Sequence, residues 1–274
     1  MVVWIIWLLC SLVVEIVHGQ QCPVVGSEYI GPMEYKRSDK YTLPGFHDKY
    51  PLKKHMVYSG LQEGGRLFEH VETNSFISLF RKLSCGENVT VAVFGGSFTR
   101  GHNLRPGEAS WAIQFIDWLR GAYPKSTVSY LDCAVSSSTS SMGLSTLREM
   151  IERSVSIDLA VFDYSMNDDF LVWSTKSNST LLALTESIAR TAAASQVALL
   201  YLSVFMAHGY CEHVYKAVCL RYGIPHLSYR SAVLRNVTRA HALKTHDPLQ
   251  HAPGLPYSVF FPAQQHEVHP PLHA

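Results

Sequence analysis

The chemistry open to this sequence centres on Ser97. It follows Gly95-Gly96 at the end of an apolar, β-branched run, in the stretch VTVAVFGGSFTRGHN of residues 89–103. A short apolar run bounded by glycines reads as a buried parallel strand. In open α/β sheets, ligands bind where the chain leaves the carboxyl ends of the strands. Ser97 then stands at a crevice edge, with the two glycines leaving room for a substrate beside the backbone. A hydroxyl presented in this way is a candidate nucleophile, and it needs a general base and donors for a developing oxyanion. Asn167 and the serines at 136–138 each follow another apolar run and are candidate donors. His269, next to Pro270, is the candidate base. The plainer alternative is that Ser97 and Asn167 only cap helices after turns.

These residues need a frame, and the hydropathy pattern supplies one. Strands are expected over residues 89–94, 127–132, 157–163, 197–204 and 226–229. Helical spacing is expected over residues 68–83, 108–123 and 211–222. It recurs through Leu144, Leu147, Ile151 and Val155, and through Leu181, Leu184, Ile188 and Ala192. Strict alternation of strand and helix predicts an α/β fold, a three-layer α/β/α arrangement around a five-stranded parallel sheet. Asp168 and Asp169 are expected in a solvated loop or helix start. No internal repeat is visible.

Composition narrows the function classes. Apolar residues make up 47% and charged residues 16%, which excludes a disordered chain. A net charge of +1 without a dense Lys/Arg cluster gives no field for nucleic acid. Residues 1–19 read as a signal peptide, or as an uncleaved signal anchor. The apolar run over residues 2–14 is shorter than the roughly 20 residues of a membrane-spanning helix. A secreted or luminal location follows, and the sequons at Asn88, Asn178 and Asn236 are candidate glycosylation sites. Residues 20–65 are read as an irregular extension and residues 66–274 as the functional domain. Cys10 leaves with the signal, so the five remaining cysteines cannot all pair. Cys211 and Cys219 lie about 12 Å apart along one helix, too far for a bridge. Cys22 and Cys85 are a candidate pair.

A nucleophile after the first strand, an Asn after the third and a late His-Pro together resemble the SGNH (GDSL-type) hydrolases. Gly95-Gly96-Ser97-Phe98-Thr99-Arg100-Gly101 looks like the nucleophile block, with Gly96 where the commonest form has Asp. Asp158-Leu-Ala-Val-Phe-Asp-Tyr-Ser-Met-Asn167-Asp168 resembles the block that ends in the oxyanion Asn, and His269-Pro270 the catalytic His-Pro. The resemblance covers residues 89–270. It implies a flavodoxin-like fold and a cofactor-free serine esterase, with Ser97 as nucleophile and His269 as base. The Ser97 and Ser137 N–H groups and the Asn167 amide would form the oxyanion hole. Acyl groups on carbohydrate, O-acetyl or short-chain, are the expected substrate.

Two positions depart from the family pattern. The loop Asp132-Cys-Ala-Val-Ser-Ser-Ser-Thr-Ser140 has no glycine where an oxyanion donor normally sits. His266 occupies the usual place of the triad acid, with Glu267 beside it. Two other readings therefore stand beside the esterase: an inactive carbohydrate- or partner-binding relative, and a Golgi O-acyltransferase using the same acyl-enzyme. His102 and His208 are alternative bases. His266, His269 and His273 have metal-compatible spacing, but a solvated tail is the simpler reading, and no metal is assigned. Tyr29, Tyr35, Tyr41, Tyr50 and Tyr58 of the extension could stack on sugars or simply pack.

Overall fold

A computed structural model describes residues 74–102, 104, 107–175, 177–204 and 211–228. In chain order the elements are α1 (Asn74–Cys85), β1 (Val89–Gly95), α2 (Ser97–Arg100), α3 (Trp111–Ala122), β2 (Val128–Ala134) and α4 (Ser140–Glu152). These are followed by β3 (Leu159–Asp163), α5 (Ser165–Thr175), α6 (Ser179–Ala194), β4 (Ala198–Ser203), α7 (Glu212–Tyr222) and β5 (His226–Ser228). All four strand pairings are parallel and the sheet order is β2-β1-β3-β4-β5. The five strands and the alternation are those expected from the sequence.

Strand periodicity explains the three layers. Along β1, Val89, Val91 and Val93 point to one face and Ala92 and Phe94 to the other. The first face packs against α1 and α3 through Phe76, Leu83, Phe115 and Leu119. The second packs against α4, α6 and α7 through Leu147, Ile188 and Val218. Both faces being covered is why the strands read as continuous apolar runs instead of alternating ones. At the amino edge of the sheet, Asp158 accepts from Lys82 Nζ at 2.6 Å and from the Thr90 N–H at 2.8 Å, tying α1 to β1 and β3.

The boundaries moved for local reasons. Helix α3 starts at Trp111, not at 108, because Ser110 caps it, its hydroxyl accepting from the Ile113 N–H. The segment after β3, for which the sequence pattern leaves a loop or a helix start open, is already helical at Ser165. The buried side of α5 is mostly Ser and Asp, so its apolar periodicity is weak. Asp168 and Asp169 begin a helix as expected, but they are buried, not solvated. Helix α4 lies so close to the sheet that a Cβ on Gly143 would sit 2.6 Å from the Tyr164 ring and 2.8 Å from the Phe162 ring. Gly143→Ala should therefore lower the unfolding free energy by roughly 1–3 kcal/mol. Thermal denaturation checks this, and an unchanged midpoint would refute the close packing.

Candidate active site

The order β2-β1-β3-β4-β5 reverses direction between β1 and β3, and it is at such a switch point, outside the carboxyl ends, that open α/β sheets form their ligand crevice. Gly95, at the end of β1, is in register with Asp163, at the end of β3. Both strands then turn directly into helices. Ser97 opens α2, whose first intrahelical bond is Arg100 N–H to Gly96 O (3.1 Å). The helix therefore offers the Ser97 N–H no acceptor, which leaves it available to a ligand. Ser97 is half-buried.

Asn167 lies in the first turn of α5 and reaches across to both neighbouring loops. Its Nδ2 donates to the Ser138 carbonyl. A Cβ at position 96 would come within 2.7 Å of the same nitrogen, so bare Gly96 lets the amide lie against the backbone beside Ser97. An amide nitrogen carries two N–H groups, and the bond to Ser138 uses one.

The loop after β2 supplies the third component. The Val135 N–H donates to Gly95 O (2.9 Å) and the Ser138 N–H to Val135 O (3.3 Å), closing a four-residue turn. Its third residue, Ser137, has φ +61°. That left-handed conformation is the one a type II turn requires and glycine fills without strain. The sequence lacks the expected glycine, yet the backbone keeps glycine's conformation. Ser137 is exposed, so its Cβ meets no packed neighbour.

Buried carboxyls hold this arrangement in place. Asp168 Oδ1 accepts from the Ser140 N–H at 3.0 Å, and Oδ2 accepts from the Ser140 and Tyr215 hydroxyls. Thr139, at the cap position of α4, makes no side-chain bond to the helix, so Asp168 caps α4 from another element. Asp169 Oδ1 accepts from the Cys211 N–H at 2.8 Å. Ser165 Oγ accepts from the Val204 N–H at 2.9 Å. Beneath Ser97, Thr99 Oγ1 donates to Asp163 Oδ2 at 2.7 Å. Burial pushes the Asp163 carboxyl up to about 7, against the Thr99 bond that favours ionisation.

Thus Ser97, Ser137 and Asn167 converge on one edge. His269, His266 and His208 lie outside the described residues, as do Asn236, Cys22 and the extension. The described histidines are His102, His213 and His226. His102 is exposed, and its backbone N–H closes the turn onto Ser97 O (2.9 Å). His226, three strands from β1, is buried against Ser203 Oγ at 2.7 Å, and burial pushes its imidazole down to about 4. Asn88 is exposed at the amino edge, away from the crevice, and Asn178 Nδ2 bonds His213 Nε2 at 2.8 Å. Among the described residues no His/Cys/Asp/Glu group is arranged to hold a metal, and no helix is long and apolar enough to cross a membrane. The Thr99–Asp163 contact and the Asp168 clamp were missed from the sequence. A carboxyl ending an otherwise apolar strand, as in Val161-Phe162-Asp163, was the available signal.

Two outcomes are expected. Ser137→Gly should stabilise the chain by about 0.5–1 kcal/mol, because it relieves a left-handed Cβ; a lower denaturation midpoint would refute the strain. Asp163 is protonated in the fold and ionised in the unfolded chain between its ordinary 3.8 and about 7. Its contribution to stability is thus lost as pH rises through that window. The unfolding free energy of Asp163→Asn minus that of the parent chain should grow with pH and level off above about 7. His226 titrates alike in both and cancels. A flat difference would mean Asp163 is ionised throughout.

No protein-family model matches the chain, and no curated protein matches it. Solved structures do. A two-domain esterase (CEX) active on acetylated mannans is 21% identical with a TM-score of 0.50, over 60% of this chain and 46% of that one. The chain thus spans about half the length of that relative. AlinE4, an SGNH-hydrolase family esterase, is 17% identical with a TM-score of 0.44, over 58% and 84% of the two chains. A lipolytic G-D-S-L family protein from Veillonella parvula is 11% identical with a TM-score of 0.42, over 54% and 81%. With its parallel β2-β1-β3-β4-β5 sheet, and with the loops of Ser97, Ser137 and Asn167 leaving one edge, the chain has the fold of the SGNH (GDSL-type) hydrolases.

Proposed function

We propose that the chain is a serine esterase of the secretory lumen or cell exterior that removes acyl groups, most simply O-acetyl, from carbohydrate. The observation that carries this reading is the convergence of Ser97, Ser137 and the Asn167 amide at the β1/β3 edge. Ser97 Oγ attacks the ester carbonyl while His269 takes its proton. The carbonyl oxygen becomes an oxyanion, held by the free N–H of Asn167 and the backbone N–H groups of Ser97 and Ser137. His269 then protonates the leaving sugar alkoxide, and the acyl group stays on Ser97. Water, deprotonated by His269, releases the acid and restores the serine. No cofactor takes part. Preorganised donors of this kind contribute about 2.7–4 kcal/mol each to the transition state.

Supporting observations bear on substrate and compartment. The esterase of similar fold acts on acetylated mannans. Cys85 is disulfide-bonded while Cys133, Cys211 and Cys219 are free, so its partner lies outside the described residues. A structural disulfide suits an oxidising compartment. A second reading, a binding module that has lost catalysis, is favoured by His266 in the acid's position and by the Asn167 bond to the Ser138 carbonyl.

A fluorophosphonate reagent separates the two. The folded parent chain should be labelled at Ser97, with labelling abolished in Ser97→Ala and in His269→Ala. Asn167→Ala should retain the fold and lower kcat on 4-nitrophenyl acetate by about 10²–10³. An unlabelled folded chain would overturn the esterase reading and leave the binding reading standing.

A further inference from the structure

Beyond Asn167, helix α5 carries Phe170 and Trp173, 65% and 57% exposed. They are the only aromatic side chains among the described residues that stand mostly in solvent. Their rings contact each other, with centroids 5.7 Å apart and planes tilted by 37°. Three-residue steps on a helix turn by about 60°, so Asn167, Phe170 and Trp173 form one slowly winding ridge. Its lower end is the amide that lies against Gly96, and its upper end is roughly 9 Å further along the axis. The ridge is uncharged. Helix α5 contains no Lys or Arg, and its two carboxylates are buried against Ser140, Tyr215 and Cys211. Exposed Ser174, Thr175 and Ser177 hydroxyls border it.

We propose that Phe170 and Trp173 form a sugar-stacking subsite, which holds a neutral pyranose ring of the substrate beside the Ser97 crevice. The inference rests on the esterase reading for what the subsite serves, but its binding can be measured without catalysis. A pyranose presents an apolar C–H face that covers aromatic rings, and a hydroxyl edge that hydrogen-bonds to side-chain hydroxyls. Among the described residues, neither an anionic nor a cationic ligand finds a counter-charge on this ridge. An acyl chain needs an enclosed apolar channel, and the apolar cavity lined by Phe76, Leu83, Phe115 and Leu200 lies in the opposite layer.

Titrating the full chain with unacylated mannopentaose, xylopentaose and cellopentaose, read by calorimetry and by tryptophan emission, tests the subsite. At least one pentaose should bind. Trp173→Ala should weaken that binding about tenfold, and Trp173→Phe, which keeps a ring, should restore most of it. Leu220→Ala, which removes a comparably exposed side chain from the far end of α7, should leave affinity unchanged. Parallel hydrolysis of 4-nitrophenyl acetate by the parent chain separates the two claims. A chain that hydrolyses this ester but binds no pentaose, or binds one equally well after Trp173→Ala, overturns the subsite and leaves the esterase reading intact. A chain that binds through Trp173 without hydrolysing the ester keeps the subsite and overturns the esterase reading.

Discussion

Asp168 accepts hydrogen bonds from three donors on two other elements, the Ser140 N–H, the Ser140 hydroxyl and the Tyr215 hydroxyl. Burial pushes its carboxyl above the ordinary range, and these donors oppose that shift. A buried carboxylate is costly unless its lone pairs are occupied, so its position fixes all three partners at once. It caps α4, which sets the end of the serine loop, and it anchors α7. Its neighbour in sequence is Asn167, so the oxyanion candidate is held by the same junction. Position 168 therefore connects three of the four helices on that face to one residue of the crevice.

Much of the fold could be read from the chain because both faces of the sheet are covered. Five apolar runs bounded by Gly, Asp or Ser become five strands in place, and Ser97 and Asn167 fall at the carboxyl ends where the alternation puts them. What could not be read depends on tertiary contacts. Asp168 and Asp169 look solvated because no local pattern announces a buried carboxylate whose donors lie 28 to 47 residues away. The extent of helix α5 is not legible because its buried side is largely polar. Ser137 was suspect for lacking a glycine, but an exposed serine in a left-handed turn costs only about 1–2 kcal/mol, and the turn survives.

Electrostatics at the crevice follow from these placements. Asp163, Asp168 and Asp169 stand within seven consecutive residues, close to where negative charge would develop on a substrate. Ionised and unscreened, they would oppose it. Asp163 stays protonated up to about 7, and Asp168 and Asp169 turn their lone pairs onto donors away from Ser97. The candidate donors, the Ser97 and Ser137 N–H groups and one N–H of Asn167, would then act on the crevice with little opposition.

The free cysteines carry a further consequence. Cys211 and Cys219 are buried, and burial holds both thiols well above their ordinary range. Cys133 is pushed up to about 11 by burial and by nearby Asp132. Only a thiolate attacks a disulfide. At neutral pH the three free thiols among the described residues are therefore scarcely ionised, and none of them readily attacks the Cys85 bridge. The vulnerable interval is before the fold closes over them. Correct pairing is then a matter of the order in which burial and oxidation occur during biosynthesis.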